Sequence, residues 1–301
     1  MKKLYVVTCV FNPENYQSRY DLYNNFEKYI KSFDNVELYT VELAFNDQEF
    51  KVTKSNDPQH IQLRTNEILW FKENLLNIGI KALPADAKYV GWIDADIEFE
   101  NINWIQDTCN KLDEYPFIQM FKRANDLGPN GEIIGNDRSF IQRWETNDYD
   151  EKRRGRSGLA WAATMDALKT VDYLIDWGIV GSADWFMAFS LTGQLTAENL
   201  NNKTGGYSGD ALKIWDDKIQ IYPIDKRVSY IDGTVNHFWH GKKSDRGYNW
   251  RWKILSENEF NPITDMGYRD NGLIQVVADK PKLHEDIIDY FKSRKEDSIE
   301  K

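Results

Sequence analysis

The stretch KYVGWIDADIEF, residues 88–99, decides the fold. It opens with a mostly apolar run that ends at Ile93, and such a run is typical of a strand buried on both faces of a sheet. Two carboxylates, Asp94 and Asp96, follow the strand at once. Because ligands of open α/β sheets bind outside the carboxyl ends of the strands, this junction predicts a ligand site.

Strands and helices alternate on both sides of this stretch. Apolar spacing predicts strands at 4–11, 36–43, 61–63 and 116–121. It also predicts three helices: one that ends near residue 30, one over 66–80 and one over 104–112. The alternation predicts an α/β fold with a Rossmann-like sheet, mixed but mostly parallel and flanked by helices. The turn after the first strand lacks the glycine-rich fingerprint of dinucleotide-binding folds.

The rest of the chain of 301 residues divides into further predicted parts. Periodicity fails after the strand at 116–121, so we predict a surface excursion over 122–156. Order returns with a strand of small residues at 158–163. We therefore predict one domain over 1–260, followed by a carboxyl-terminal appendage over 261–301 that ends in a charged helix.

Composition excludes several classes of protein. No apolar run approaches the roughly 18 residues of a membrane-spanning helix, so no integral membrane segment is expected. Cys9 and Cys109 are too few for a disulfide scaffold, which favours a cytoplasmic setting. The net charge of -10 argues against broad adhesion to nucleic acid. Two basic segments, 151–156 and 242–253, either face an anion or form solvated loops.

The pair of acids suits a divalent cation. Asp94 and Asp96 offer hard oxygen ligands with room left in the coordination shell, which favours Mn²⁺ or Mg²⁺. Such an ion completes its shell on diphosphate oxygens and offsets the charge of a leaving group. The alternative is that the acids only cap a turn, because this triplet often arises by chance.

Further motifs follow in a defined order. The segments are 70–77, VGWIDAD at 90–96, GLAWAA at 158–163, GSADW at 181–185 and HFWHG at 237–241. Together they resemble glycosyltransferases with the A-type fold, similar to family-2-like enzymes of bacteria and tailed phages. The resemblance covers residues 4–256. It implies transfer of a hexose or pentose from a nucleotide-sugar donor, first of all a UDP-sugar, to an acceptor hydroxyl.

The resemblance also implies roles for individual residues. It makes 1–121 the nucleotide-sugar-binding half and 157–260 the acceptor half. Asp94, Asp96 and His240 are expected to hold the metal, with His237 the weaker candidate; the alternative for His240 is a packed core histidine. The residues expected to bind the donor are Val10, Phe11, Asn12, Glu42, Lys72, Asp94, Ala95, Trp161, Lys242, Lys243, Arg246 and Arg251.

Asp184 matches the position of the carboxylate that deprotonates the acceptor hydroxyl in inverting relatives. Its alternative is a helix N-cap. The motif here is Ser-Ala-Asp, whereas many relatives carry paired acids, so the stereochemical outcome stays open.

Several functions compete on the sequence alone. The acceptor is a glycan, a lipid-linked sugar or a protein in the first reading, and a hydroxylated base of phage DNA in the second. A non-catalytic module that binds carbohydrate or nucleotide is a third reading. A nucleotidyltransferase also uses paired aspartates, but it requires a glycine-rich phosphate loop, and residues 11–15 do not form one.

Overall fold

The computed structural model describes residues 2–148, 154–195 and 209–299. Its strands are β1 (Leu4–Phe11), β2 (Val36–Phe45), β3 (His60–Thr65), β4 (Tyr89–Ile93), β5 (Ile97–Phe99), β6 (Phe117–Gln119), β7 (Arg123–Leu127), β8 (Ile133–Arg138), β9 (Ala160–Thr164), β10 (Val228–Tyr230), β11 (Thr234–His237), β12 (Met266–Tyr268) and β13 (Ile274–Val276). Its helices are α1 (Gln17–Ile30), α2 (Lys72–Lys81), α3 (Trp104–Lys111), α4 (Phe140–Glu145), α5 (Met165–Thr170), α6 (Ala183–Leu191), α7 (Gly209–Ile219), α8 (Trp252–Glu257), α9 (Pro262–Asp265) and α10 (Pro281–Ser293).

The central sheet has seven strands in the order β10-β6-β9-β4-β1-β2-β3. All neighbouring pairs are parallel except those that β9 makes with β4 and β6. This sheet confirms the predicted mixed, mostly parallel α/β fold. None of the helices in the described part of the chain has the length and apolar character needed to span a lipid bilayer.

The central strands supply core residues to both faces of the sheet, because successive side chains of a strand point to opposite sides. Val7 on β1 belongs to the core cluster that also contains Leu75 of α2. Its neighbour Val6 belongs to the opposite cluster, with Trp104 of α3. Helices therefore cover both faces, and only the strand ends remain open to ligands.

A second sheet has the order β5-β11-β7-β8. Two of its strands, β7 and β8, lie in the segment 122–156 that we predicted as a surface excursion, so the described part of that segment contains regular structure. The sequence of β7, Arg-Ala-Asn-Asp-Leu, shows no apolar run because its partners β11 and β8 stabilise it mainly through backbone pairing. Ser139 then caps α4 by accepting the backbone N–H of Gln142.

The register of the second sheet sets the side chains of the site. Ile97 of β5 lies opposite His237 of β11, and His237 lies opposite Asp126 of β7. Since Asp96 immediately precedes Ile97, the pairing brings Asp96, His237 and Asp126 to one end of the sheet.

The segment predicted as an appendage contributes to the main core within the described residues. Leu283, Ile287, Tyr290 and Phe291 of α10 are buried in the same cluster as Trp252 of α8. The apolar face of α10 produces this contact.

Candidate active site

A cavity of about 330 Å³ opens at the carboxyl ends of β1 and β4. Predicted site residues that line it are Val10, Phe11, Lys72, Asp94, Ala95, Asp96, Asp184, His240, Arg246 and Arg251. The loop between β4 and β5 is fixed from two sides: Asp94 N–H donates to the Leu159 carbonyl, and Phe238 N–H donates to the Asp96 carbonyl, both at 2.8 Å. The structure therefore brings most of the predicted donor and metal residues together.

Asp96, His237 and His240 form a buried set of three metal-ligating side chains. Asp96 Oδ2 lies 3.1 Å from His240 Nε2 and 3.8 Å from His237 Nε2, and the two Nε2 atoms are 3.2 Å apart. Ligands at right angles around an ion with bonds of about 2.1 Å lie about 3 Å apart, so these separations fit one coordination shell. Asp96 Oδ1 is also buried without a hydrogen-bond partner among the described residues.

The protonation of this set suits a cation. Burial lowers the pKa of His237 to about 4, so the ring is neutral near pH 7. Its Nδ1 lies 3.1 Å from Asp126 Oδ1, and we assign the proton to Nδ1 because a carboxylate accepts it there. Burial works against the charge of Asp96, but His237, His240 and Arg19 outweigh it and lower its pKa. A neutral Nε2 and an ionised carboxylate are the forms that bind metal.

Asp94 does not join this set. Its Oδ1 lies 2.5 Å from Nζ of Lys72, in the first turn of α2. Burial opposes the charge of Lys72, but Asp94, Glu73 and Asp184 outweigh it and raise the pKa of the amine. The metal-ligand role of Asp94 therefore stays a prediction, and the ligand-type side chains that this structure brings together are Asp96, His237 and His240.

Glu73 also lines the cavity, and sequence reasoning missed it. It is 4% exposed, and burial raises its pKa to about 8, with Asp184 and Asp94 adding to the shift and Lys72 opposing it. Its place one residue after Lys72 in an amphipathic helix resembles an ordinary polar face. Only the tertiary structure shows that the side chain points inward.

Two buried arginines face the same cavity. Arg246 and Arg251 are 3% and 5% exposed, and within the described residues neither forms an ion pair with a carboxylate. Arg246 donates to the Gly241 carbonyl at 3.2 Å, and Arg251 donates to the Tyr290 hydroxyl at 3.1 Å. Burying a guanidinium without a counter-charge is costly, so this pair favours a bound anion.

Aromatic rings surround these cations. Arg251 and Arg294 lie over the Trp70 ring, at 5.8 and 5.0 Å from its centroid. Burial of the Tyr248 hydroxyl raises its pKa, but Arg246, Arg294 and Arg251 outweigh burial and hold the pKa below its usual value. Arg294, which sequence reasoning also missed, thus adds to the positive potential of the cavity.

Asp184 lies in the first turn of α6, where Ser182 and not Asp184 occupies the N-cap position. One carboxylate oxygen, Oδ1, accepts the Trp185 N–H at 2.8 Å, and the other, Oδ2, is 3.5 Å from the Ser157 hydroxyl. The side chain therefore faces the cavity with one oxygen weakly engaged.

Glu42 lies outside the cavity. Its oxygens accept the backbone N–H groups of Lys51, Val52 and Thr53 and the Thr53 hydroxyl. The carboxylate holds the loop between β2 and β3 in place, and the donor contact of Glu42 stays a prediction.

The other predicted donor residues outside the cavity also have structural partners. Asn12 closes the turn after β1 by bonding both the N–H and the carbonyl of Tyr16. Trp161 Nε1 donates to the Ser157 carbonyl at 2.6 Å. Lys243 pairs with Asp126, and its neighbour Lys242 does not line the cavity.

No protein-family model and no curated protein matches this sequence. Among solved structures, S. aureus TarS 1-349 in complex with UDP-GlcNAc is similar, with 15% identity, a TM-score of 0.46, and coverage of 80% of this chain and 60% of that chain. Another structure of TarS 1-349 has 15% identity, a TM-score of 0.39, and coverage of 62% of this chain and 54% of that chain.

The catalytic domain of Drosophila β1,4-galactosyltransferase 7 in complex with xylobiose is also similar. Its identity is 11%, its TM-score 0.42, and the match covers 94% of this chain and 99% of that chain. The present chain spans only 54 to 60% of the TarS structures. These identities and TM-scores are too low to assign an activity or a substrate to this chain.

Proposed function

We propose that this chain is a metal-dependent glycosyltransferase that moves a sugar from a nucleotide-sugar donor, first of all a UDP-sugar, to an acceptor hydroxyl. One observation carries the proposal: a buried metal-ligand set, two buried arginines that pair with no carboxylate of the described residues, and an inward carboxylate share one cavity. Each of these groups serves one partner in sugar transfer: the metal, the diphosphate and the acceptor.

The charges of the cavity suit a diphosphate ester. Lys72 is neutralised by Asp94. Arg246 and Arg251 keep uncompensated charge, which the two negative charges of a nucleotide-sugar diphosphate would offset. Guanidinium groups bind phosphate oxygens through paired N–H donors, so the arginines also orient the donor.

The metal would be held by Asp96, His237 and His240. Two imidazoles and one carboxylate suit Mn²⁺ better than Mg²⁺, which prefers oxygen ligands. When bound, such an ion neutralises charge that develops on the departing diphosphate.

Asp184 is proposed as the general base. It takes the proton of the acceptor hydroxyl while that oxygen forms a bond to the anomeric carbon of the donor sugar. The bond from the anomeric carbon to the phosphate oxygen breaks, and its electron pair leaves with the nucleoside diphosphate. Arg246 and Arg251 stabilise that leaving group electrostatically.

For the acceptor, two aromatic side chains of the cavity favour a carbohydrate. Trp185 and Trp252 line the same space as Asp184, and indole rings pack well against the apolar face of a sugar. Arg156, from the basic segment 151–156, pairs with Asp126, and this ion pair offsets its charge.

The donor is tested with a thermal-shift panel of nucleoside diphosphates and nucleotide sugars, each with Mn²⁺ and with EDTA. A ligand at 100 times its Kd stabilises the fold by about 2.7 kcal/mol, or roughly 5 °C. We expect such a shift for one nucleotide family with Mn²⁺ only. It should be lost in Asp96→Asn and kept in Asp232→Asn, a matched change at an exposed acid.

Transfer to a panel of glycan, lipid-linked, protein and hydroxymethylated DNA acceptors then identifies the acceptor. A metal-independent shift, or full Mn²⁺-dependent binding by Asp96→Asn, would contradict the proposed site. Metal-dependent nucleotide binding with neither transfer nor donor hydrolysis would instead support the non-catalytic module.

A further inference from the structure

The segment 294–298 contacts the metal-ligand set on the side of His240 that faces away from Asp96. Glu296 in this segment is 2% exposed and forms ion pairs with Arg19 and Arg294. Its neighbour Asp297 accepts the backbone N–H groups of Gln17 and Ser18 at the start of α1, at 2.9 and 2.8 Å. Adjacent carboxylates thus serve different purposes: Asp297 caps a helix, and Glu296 points into the protein.

The inward carboxylate meets the outer nitrogen of a metal-ligating histidine. Nε2 of His240 faces Asp96, and its Nδ1 lies 3.5 Å from Glu296 Oε2. Within the described part of the chain, that Nδ1 is buried and has no hydrogen-bond partner of normal geometry. A small rotation of the ring or the carboxylate would form the bond.

His237 has the same arrangement, and there the hydrogen bond between the outer nitrogen and a carboxylate is formed. Its Nε2 faces the other ligand atoms, and its Nδ1 lies at hydrogen-bond distance from Asp126. Histidines that bind metal almost always donate their other ring N–H to a carboxylate, a carbonyl or water, which fixes the tautomer and the ring orientation. Asp126 and Glu296 therefore occupy equivalent places behind the two rings.

We infer that Glu296 is a positioning residue of the metal site: it accepts the Nδ1 proton of His240 and so directs the Nε2 lone pair toward the ion. The inference rests on the metal-binding role proposed for Asp96, His237 and His240. It assigns a function in the metal centre to a segment far from every motif of the sequence.

Several contacts fix the position of the segment that carries the Glu296 carboxylate. The Trp239 indole donates to the Ser298 carbonyl at 2.7 Å, and the Lys295 N–H donates to the Tyr16 hydroxyl at 3.1 Å. A Cβ on Gly241, next to His240, would lie 2.8 Å from the Lys295 carbonyl oxygen, so the two segments are in close contact. Arg19 and Arg294 form ion pairs with Glu296, so the buried carboxylate has opposite charges on both sides.

The test compares Glu296→Gln with Asp297→Asn in the full chain, without nucleotide. The Kd for Mn²⁺ is measured by electron paramagnetic resonance, and thermal unfolding is followed in parallel. Loss of an outer carboxylate typically weakens metal binding 10- to 100-fold, so we expect that increase in Kd for Glu296→Gln. Asp297→Asn should lower the melting temperature and leave the Kd within about twofold.

A folded Glu296→Gln variant with a Kd within about twofold of wild type would overturn the inference, as would equal weakening by both variants. If wild type itself binds no Mn²⁺, the proposed metal site is wrong. If wild type binds Mn²⁺ and Glu296→Gln binds it equally well, only the role of Glu296 is wrong. Should Glu296→Gln not fold, ¹⁵N NMR of the wild-type histidines decides. A proton on Nδ1 of His240 supports the inference, and a proton on Nε2 contradicts it.

Discussion

Glu73→Gln is expected to change how the stability of this protein depends on pH. Burial, with help from Asp184 and Asp94, raises the pKa of Glu73 from 4.5 to about 8 in the folded state. Between these values the folded protein retains a proton that the unfolded chain releases, so the free energy of unfolding decreases as pH rises. The decrease is up to about 1.4 kcal/mol per pH unit, and the whole window amounts to roughly 5 kcal/mol.

Glutamine matches the shape of the protonated side chain and does not titrate. The variant should resemble wild type at pH 5 and exceed its stability by several kcal/mol at pH 8. Urea unfolding followed by circular dichroism at pH 5, 6, 7 and 8 measures this difference. His237 has the opposite effect: because its pKa is lowered from 6.5 to about 4 in the folded state, the free energy of unfolding rises with pH between these values. This contribution is the same in both proteins and cancels when they are compared at each pH.

The control is Glu49→Gln, the same change at a side chain that is 84% exposed, which should leave the slope unchanged. Parallel stability curves for wild type and Glu73→Gln would refute the reasoning, because they would show that Glu73 is ionised in the fold at neutral pH.

Other predictions concern the anion site and the base. Arg246→Met removes a buried guanidinium that pairs with no carboxylate of the described residues, so the ligand-free protein should not lose stability in urea unfolding and the thermal shift with nucleoside diphosphate should disappear; a destabilised variant that keeps the shift would contradict this. Asp184→Asn should lower the turnover number at least about 100-fold and leave nucleotide binding unchanged, and unaltered turnover would remove Asp184 from the mechanism. Gly158→Ala places a Cβ 2.5 Å from Asp184 Oδ2, so the carboxylate must move by about 1 Å. We expect a similar kinetic loss of roughly 100-fold without loss of thermal stability, and normal turnover would show that the position of Asp184 is not critical.

Much of the fold was predictable because its central strands carry strong local signals. The strands at 4–11 and 89–93 and the helix ending at Ile30 occur where apolar spacing placed them. The helix predicted over 66–80 begins only at Lys72, since the Trp70 N–H is committed to the Ile179 carbonyl before α6. Apolar pattern alone does not report such a long-range bond.

The second sheet shows where local signals fail. Its strand β7 has a polar sequence, and β11 is only four residues long. β11 pairs with β5 and β7, which lie far earlier in the sequence, and this long-range pairing leaves no periodic pattern in either β7 or β11. The register between them brings His237 next to both Asp96 and Asp126, and the sequence does not show this register, so it favoured His240 over His237.

The same reasoning explains which carboxylates of the site were found. Asp94 and Asp96 follow a buried strand, and their apolar context marks them as unusual. Asp126 lies in a polar segment and Glu296 in a charged one, so in the sequence both resemble solvated acids. What distinguishes them is burial, at 5% and 2% exposure, and burial is a property of the assembled fold. Because a buried carboxylate is stable only where cations or donors compensate it, these two acids depend on partners that only the folded chain brings to them, such as Lys243 and Arg156 at Asp126 and Arg19 and Arg294 at Glu296.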